Sequence, residues 1–175
     1  MQIDRIPEWA LTALVEAEIA ALLARCFSTD FGGRSFFQTR HHLRLVHRPR
    51  GAIIGHMALQ WRAMRLGDRL VTVAGLAEVA TDPDHRGKGI AAGLLQAAIA
   101  EAKASPAEFF LLFGVAELYG AAGFRTVHNP MIWADMLGAR THDIHREPAD
   151  SLMVLPLRGT VWDDQATLDL LGNLF

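Results

Sequence analysis

Apolar side chains recur at helical spacing near the start of the chain: Leu11, Leu14, Val15, Ile19, Leu22 and Leu23 share one helical face. The spacing predicts a helix over residues 8–27. Pro7 stands where a first helical turn tolerates it, and Ser28-Thr29-Asp30 with Gly32-Gly33 close the run. Strands then take over. Residues 43–47, 52–64 and 70–81 read as strands, separated by the turn signals Pro49-Arg50-Gly51 and Gly67-Asp68. Two successive hairpins imply an antiparallel start to a sheet.

The pattern changes again after Asp82-Pro83-Asp84. Residues 89–103 have the composition of a strong helix, and Phe109 to Phe113 is a short apolar run suited to a buried strand. Strand–helix–strand is the unit that gives parallel pairing through a right-handed crossover. Residues 117–122 suit a short helix closed by Gly123. Residues 130–150 read as a loop with local structure, 152–157 as a late strand and 164–171 as a final short helix. The expected fold class is α/β, a mixed (α+β) sheet with antiparallel hairpins followed by a βαβ unit. No repeat, low-complexity tract or linker divides the chain, so residues 1–175 are expected to form a single domain.

Composition narrows the function classes. Half the residues are apolar (51%) and a fifth charged (21%), the balance of a soluble globular chain. The net charge of −2 gives no global field favouring nucleic acid or an anionic membrane. No apolar run reaches the ~20 residues that span a bilayer, and no signal-peptide pattern opens the chain, so a cytoplasmic protein is expected. Cys26 is the only cysteine, and the eight histidines lack metal-ligand spacing; no metal is expected. Cys26 reads as a structural thiol on an apolar helix face. The basic run Arg40, His41, His42, Arg44, His47, Arg48 and Arg50 reads as the exposed face of a strand. Of Trp9, Trp61, Trp133 and Trp162, most are expected in the core, with Trp133 a candidate for lining an acceptor pocket.

The junction from Val79 to Ala92 carries the chemistry. A strand ends, a turn follows, and Arg86-Gly87-Lys88-Gly89-Ile90-Ala91 opens a long helix. The first turn of a helix holds backbone N–H groups without intrahelical acceptors, and the macrodipole adds to their attraction for anions. Gly87 and Gly89 allow close approach, and Arg86 and Lys88 add charge. The segment lacks GxxxxGK[ST], so it is no Walker loop, and it lacks GxGxxG, so a dinucleotide fold is not expected.

The segment resembles the pyrophosphate signature of the GCN5-related N-acetyltransferase (GNAT) superfamily: Arg86, then Gly89 and Ala91. A tyrosine before a Gly-Phe pair, here Tyr119 before Gly123-Phe124, is similar to a second motif of that family. The resemblance implies a central sheet splayed into a V-shaped slot and acetyl-CoA as co-substrate. It implies pantetheine contacts at Val79, Ala80 and Thr81, and phosphate contacts at Arg86, Gly87, Lys88, Gly89, Ile90, Ala91 and Ala92. Gly51 to His56 and Phe27 to Phe31 also resemble aminoglycoside 2′-N-acetyltransferases, and Gly32 to Ser35 resembles nodulation acyltransferases. Both groups act on sugar amines, so the implied acceptor is the primary amine of a small molecule such as an amino sugar.

Acetyl transfer to an amine requires loss of the amine proton, polarisation of the thioester carbonyl and protonation of the leaving thiolate. Tyr119, the only tyrosine, is the candidate general acid, or else an aromatic packing on Phe124. Glu78 is the candidate base, but strand alternation points it away from the attack site unless a bulge re-aims it. His56 is an alternative base and acceptor-side residue, or else a core histidine bonded to backbone. Asp30 and the carboxylate of Phe175 are candidates for gripping a cationic acceptor, or else a cap and a solvated chain end. A homodimer is compatible with the sequence. A longer-chain acyltransferase and a catalytically silent acyl-CoA sensor share the same loop and stay open.

Overall fold

The computed structural model describes Met1–Phe175. The chain falls into two compact units, one of residues 1–60 and 77–99, the other of residues 61–76 and 100–175.

In the first unit, β1 (Asp4–Pro7) pairs antiparallel with β2 (Leu43–His47), which pairs antiparallel with the start of β3 (Gly55–Leu66). The predicted helix over 8–27 starts later than its apolar spacing suggested. Asp4–Pro7 is a strand, Glu8–Ala10 is a single 3-10 turn, and α1 runs Ala13–Cys26. Thr12 sets that start, its hydroxyl accepting the Val15 N–H at 3.3 Å as an N-cap. α1 buries Ile19, Leu22 and Leu23 beside Phe31, Val46, Ile53 and Ala80. Each such side chain contributes about 1.5–3 kcal/mol by leaving water.

β4 (Arg69–Thr81) ends in this unit and leads through the 3-10 turn Pro83–His85 to α2 (Ile90–Ala104). Gly55 lets α2 lie close on β3: a Cβ there would stand 2.6 Å from Ile90 Cγ2 and 2.9 Å from Leu94 Cδ1.

In the second unit the strand order is β6-β9-β5-β4-β3-β10-β7-β8. β5 (Phe109–Phe113) lies parallel to β4, with Val73 opposite Phe109 and Gly75 opposite Leu111, as the βαβ reading expected. β9 (Leu152–Pro156) runs antiparallel to β5 and carries the two-residue β6 (Arg125–Thr126) on its other side. α3 (Ala116–Tyr119) and a following 3-10 turn end at Gly123, whose φ of 96° supplies the left-handed close. Residues 130–150 hold β7 (Met131–Ala134) and β8 (Ile144–His145).

The expected final helix over 164–171 is absent. Leu168–Asp169 forms β10, antiparallel to β3 and parallel to β7. Asp163 and Asp169 side chains accept the N–H groups of Gln165 and Leu171, both at 2.9 Å, and so favour turns over a helix. Leu168 is fully buried in the second core with Val73, Phe109, Leu111 and Trp162. The architecture is thus a mixed α/β fold with parallel and antiparallel pairing. No helix is long and apolar enough to cross a membrane.

Candidate functional site

The loop that opens α2 is built by its backbone. Arg86 is extended (φ −64°, ψ 160°), and Gly87 and Gly89 both have φ of +74°. Only glycine takes that left-handed value freely. A Cβ on either glycine would meet no protein atom within 4 Å, so the space beside the loop is open. The helical ladder begins with Gly93 N–H donating to the Gly89 carbonyl at 3.0 Å. The N–H groups of Ile90, Ala91 and Ala92 precede that bond and lack an intrahelical acceptor. Arg86 and Lys88 are exposed, Ile90 is buried, and the Lys88 ammonium donates to the Asp84 carbonyl at 3.3 Å. This is an anion-binding concavity of backbone dipoles flanked by two cations.

Asp82 holds the entry to the loop. Its carboxylate accepts from Asp84 N–H at 2.9 Å and from Arg25, on the last turn of α1, at 2.6 Å. Its own N–H bonds the Ile54 carbonyl at 2.9 Å. Burial alone would push the Asp82 carboxyl up, but the Asp84 N–H, His85 and Arg25 bring it below its ordinary value. Val79 and Thr81 are half-buried and Ala80 is buried at the end of β4. The Cys26 thiol donates to the Thr81 carbonyl at 3.4 Å, a contact that adds a polar role to its expected packing one. Burial raises the thiol's pKa, against an opposing pull from Arg86.

Glu78 breaks the regularity of β4. Its φ is +51°, so the simple alternation of strand side chains fails there. The re-aimed carboxylate is 6% exposed and enters a buried polar network. One oxygen accepts from Phe37 N–H at 2.7 Å, and the other from Arg44 Nη1 at 3.1 Å. His41 Nε2 stands 2.9 Å from that second oxygen, without the alignment of a hydrogen bond. Burial would raise the Glu78 carboxyl, yet His41, His56 and Arg44 together hold it below its ordinary value. A carboxylate so held is a poor proton acceptor.

Arg44 is the hub of that network and, with His41, departs from the exposed-face reading of the basic run, which Arg40, His42, Arg48 and Arg50 follow. It has no exposed surface and bonds Glu8 through two nitrogens (2.8 and 3.2 Å) and the Ser35 carbonyl (2.7 Å). His41 is also buried, whereas Arg40 is exposed and pairs with Glu8 and Glu16 at 3.0 and 2.9 Å. The signal in the sequence was an arginine inside Leu43-Arg44-Leu45-Val46, where a surface strand would have shown more polar residues.

His56 is also placed away from solvent. It is fully buried, Nδ1 donates to the Glu78 carbonyl at 2.8 Å, and Nε2 faces Arg44 Nη1 at 3.4 Å. Burial, then the Arg44 charge, lowers its pKa to about 4, so the ring is neutral at ordinary pH. This is the core histidine with a backbone partner; with no exposed surface it does not reach an acceptor. Asp30 is exposed, and one of its oxygens accepts Gly32 N–H at 2.6 Å, closing a turn in the loop before Gly33.

The second unit holds the other two candidates. Tyr119 is 6% exposed and lies edge-on to Phe124, with ring centroids 6.1 Å apart. Gly114 makes room for it, since a Cβ there would stand 2.5 Å from the ring. Burial pushes the phenol pKa up. Phe175 lies with its ring over Gly75, where a Cβ would come within 1.9 Å of it. Arg62 covers the same ring at 4.6 Å and binds the Asn173 carbonyl. Burial lowers Arg62 to about 10. Trp162 is core, hydrogen-bonded to Asn129, while Trp9 is 86% exposed against expectation. Trp133 is half-buried and stacks on His145 at 4.2 Å. No group of three His, Cys, Asp or Glu side chains is placed to hold a metal ion.

Comparison with known proteins agrees with this architecture. Residues 11–127 match the family model described as an acetyltransferase (GNAT) domain. A GNAT family acetyltransferase from Brucella melitensis, solved in complex with acetyl-CoA, is similar at 18% identity and a TM-score of 0.63, over 95% of this chain and 94% of that one. The GNAT family N-acetyltransferase YhbS from Escherichia coli, solved with CoA, has 18% identity and a TM-score of 0.65, over 96% and 88%. The ribosomal-protein-S18-alanine N-acetyltransferase from Escherichia coli has 18% identity and a TM-score of 0.60, over 91% and 97%. No curated protein matches the chain.

Proposed function

The chain belongs to the GNAT acetyltransferase family, which makes it an acetyl-CoA-dependent N-acetyltransferase, and on that premise we propose that it acetylates the primary amine of a small cationic acceptor, an amino sugar or aminoglycoside-like molecule. The loop Arg86–Ala92 carries the cofactor half of this reading, and the exposed Asp30 carboxylate the acceptor half. The loop's free N–H groups, two left-handed glycines and two cations suit a pyrophosphate, with Val79, Ala80 and Thr81 taking the pantetheine arm. Residues 1–175 act as one catalytic domain in this proposal.

The amine attacks the thioester carbonyl directly, without an enzyme-bound intermediate; the C–N bond forms as the C–S bond breaks. Tyr119 gives its phenolic proton to the departing thiolate. A phenol raised by burial keeps its proton until a strong base such as a thiolate forms beside it. Glu78 and His56 are assigned positioning roles in place of the base role, because one is a low-pKa carboxylate with its oxygens engaged and the other is sealed from solvent. Water takes the ammonium proton. Asp30 keeps one carboxylate oxygen outside its turn bond and supplies negative charge for a cationic acceptor.

The test is release of free CoA thiol from acetyl-CoA with aminoglycosides, glucosamine, spermidine and lysine peptides, beside a longer acyl-CoA. Turnover with a cationic sugar amine, and a raised KM for it in Asp30→Asn, is expected. Turnover only with longer acyl-CoA, or none with any amine, would replace this reading with a long-chain acyltransferase or a silent acyl-CoA sensor.

A further inference from the structure

Beside the loop, within the first unit, lies a cavity of about 650 Å³ that shares Lys88 and Ile90 with the loop and extends over Arg50, Ala52 and Ile54, which the acetyl-transfer reading does not use. Small-molecule sites span roughly 300–1,000 Å³, so this one holds more than an inorganic ion. Its lining divides by chemistry. Met1, Pro49, Ala52, Ile54 and Ile90 are apolar; His47, Arg50, His85 and Lys88 are basic; no carboxylate lines it.

The basic groups have distinct situations. His47 Nδ1 donates to the Gln2 carbonyl at 2.7 Å, which leaves Nε2 free. His85 Nδ1 lies 3.4 Å from an Asp82 carboxylate oxygen. Arg50 makes no hydrogen bond or ion pair within the protein. It sits at φ 61°, ψ 25° in the turn between β2 and β3, a conformation that glycine takes more readily. An exposed arginine held there, unpaired and lining this cavity, is a free anion receptor. A guanidinium can grip a phosphate through two parallel N–H bonds.

We propose that this cavity binds a phosphate monoester carried on an apolar body, as a ligand separate from acetyl-CoA. Arg50 grips the phosphate and the Ala52–Ile54 wall takes the apolar body, while Lys88 stays with the pyrophosphate loop. The apolar wall makes a bare phosphate a poorer ligand.

Calorimetric titration with phenyl phosphate tests this, on the chain alone and on the chain saturated with acetyl-CoA. One phenyl phosphate per chain is expected in both, with inorganic phosphate at least about tenfold weaker. Arg50→Gly removes the guanidinium while easing the backbone, so the protein keeps its fold. It should weaken phenyl phosphate roughly tenfold or more, while Arg50→Lys stays within a few-fold of wild type. Stabilisation by acetyl-CoA should be the same in Arg50→Gly and wild type. The proposal falls if phenyl phosphate does not bind the cofactor-free chain, or binds Arg50→Gly as well as wild type. It falls equally if acetyl-CoA displaces phenyl phosphate, whether or not dephospho-CoA does so too, for the cavity would then seat part of the cofactor. Failure of the pyrophosphate-loop reading shows separately, as loss of acetyl-CoA stabilisation in wild type, while the cofactor-free titration still decides this site.

Discussion

The ring of His56 donates from Nδ1 to the main-chain carbonyl of Glu78 at 2.8 Å, at the residue where β4 leaves the extended conformation with φ +51°. A side chain thus satisfies a backbone group at the kink, and burial beside Arg44 keeps that ring neutral.

That burial predicts a pH dependence of stability. The His56 pKa falls from 6.5 to about 4 in the folded protein. The unfolded chain therefore binds more protons between those values, and stability rises with pH across them. The contribution is fully present above about pH 6.5 and is lost as pH falls toward 4. It amounts to about 3 kcal/mol at 1.36 kcal/mol per pKa unit. Glu8 and Glu78, both held low, act in the same direction at lower pH. Urea unfolding from pH 7 to 4.5 should show His56→Gln losing about 3 kcal/mol less than wild type. Parallel curves would mean that His56 is not desolvated.

Glu78→Gln separates an anchor from a base. The amide oxygen can still accept Phe37 N–H, but the charge facing Arg44 and His41 is gone. Breaking a buried pair costs about 3–5 kcal/mol, reduced here because Glu8 still neutralises Arg44. The expectation is a lower Tm and a raised acceptor KM, with the shape of the kcat–pH profile unchanged. Loss of the acidic limb of that profile would restore Glu78 as the base.

Gly89→Val should abolish the rise in Tm that acetyl-CoA gives through mass action. At φ +74° a β-branched residue cannot keep the loop open. Gly120→Ala serves as a control, since that glycine is helical and its Cβ would meet nothing. An intact shift in Gly89→Val would mean that the cofactor binds elsewhere.

Tyr119→Phe should lower kcat by roughly 10²-fold, the low end for losing a general acid, and leave acetyl-CoA affinity unchanged. The ring's packing on Gly114 and Phe124 survives the substitution. An unchanged kcat would assign thiolate protonation to water.

The loop and its helix were legible because their causes are local. Two glycines beside two cations at the head of an alanine-rich helix specify left-handed turns, free N–H groups and charge within seven residues. The hairpins and the βαβ unit followed from period and turn chemistry in the same way. The elements that escaped were short and depended on distant partners. β1 is four residues completed by β2, and β10 is two residues held by β3 and β7. A helical apolar spacing could not compete there with ladder bonds and aspartate-closed turns.

The roles of Glu78, His56 and Arg44 rested on tertiary structure alone. As residue types they read as a base, an acceptor-side histidine and a surface cation. Only folding brings Glu8, Ser35, Phe37 and His41 around them, and burial with those partners decides protonation and freedom to react. The amino-acid sequence determines which groups can carry charge. Desolvation and the neighbours supplied by distant segments determine which of them do, because a charge out of water persists only where other charges and dipoles replace the water.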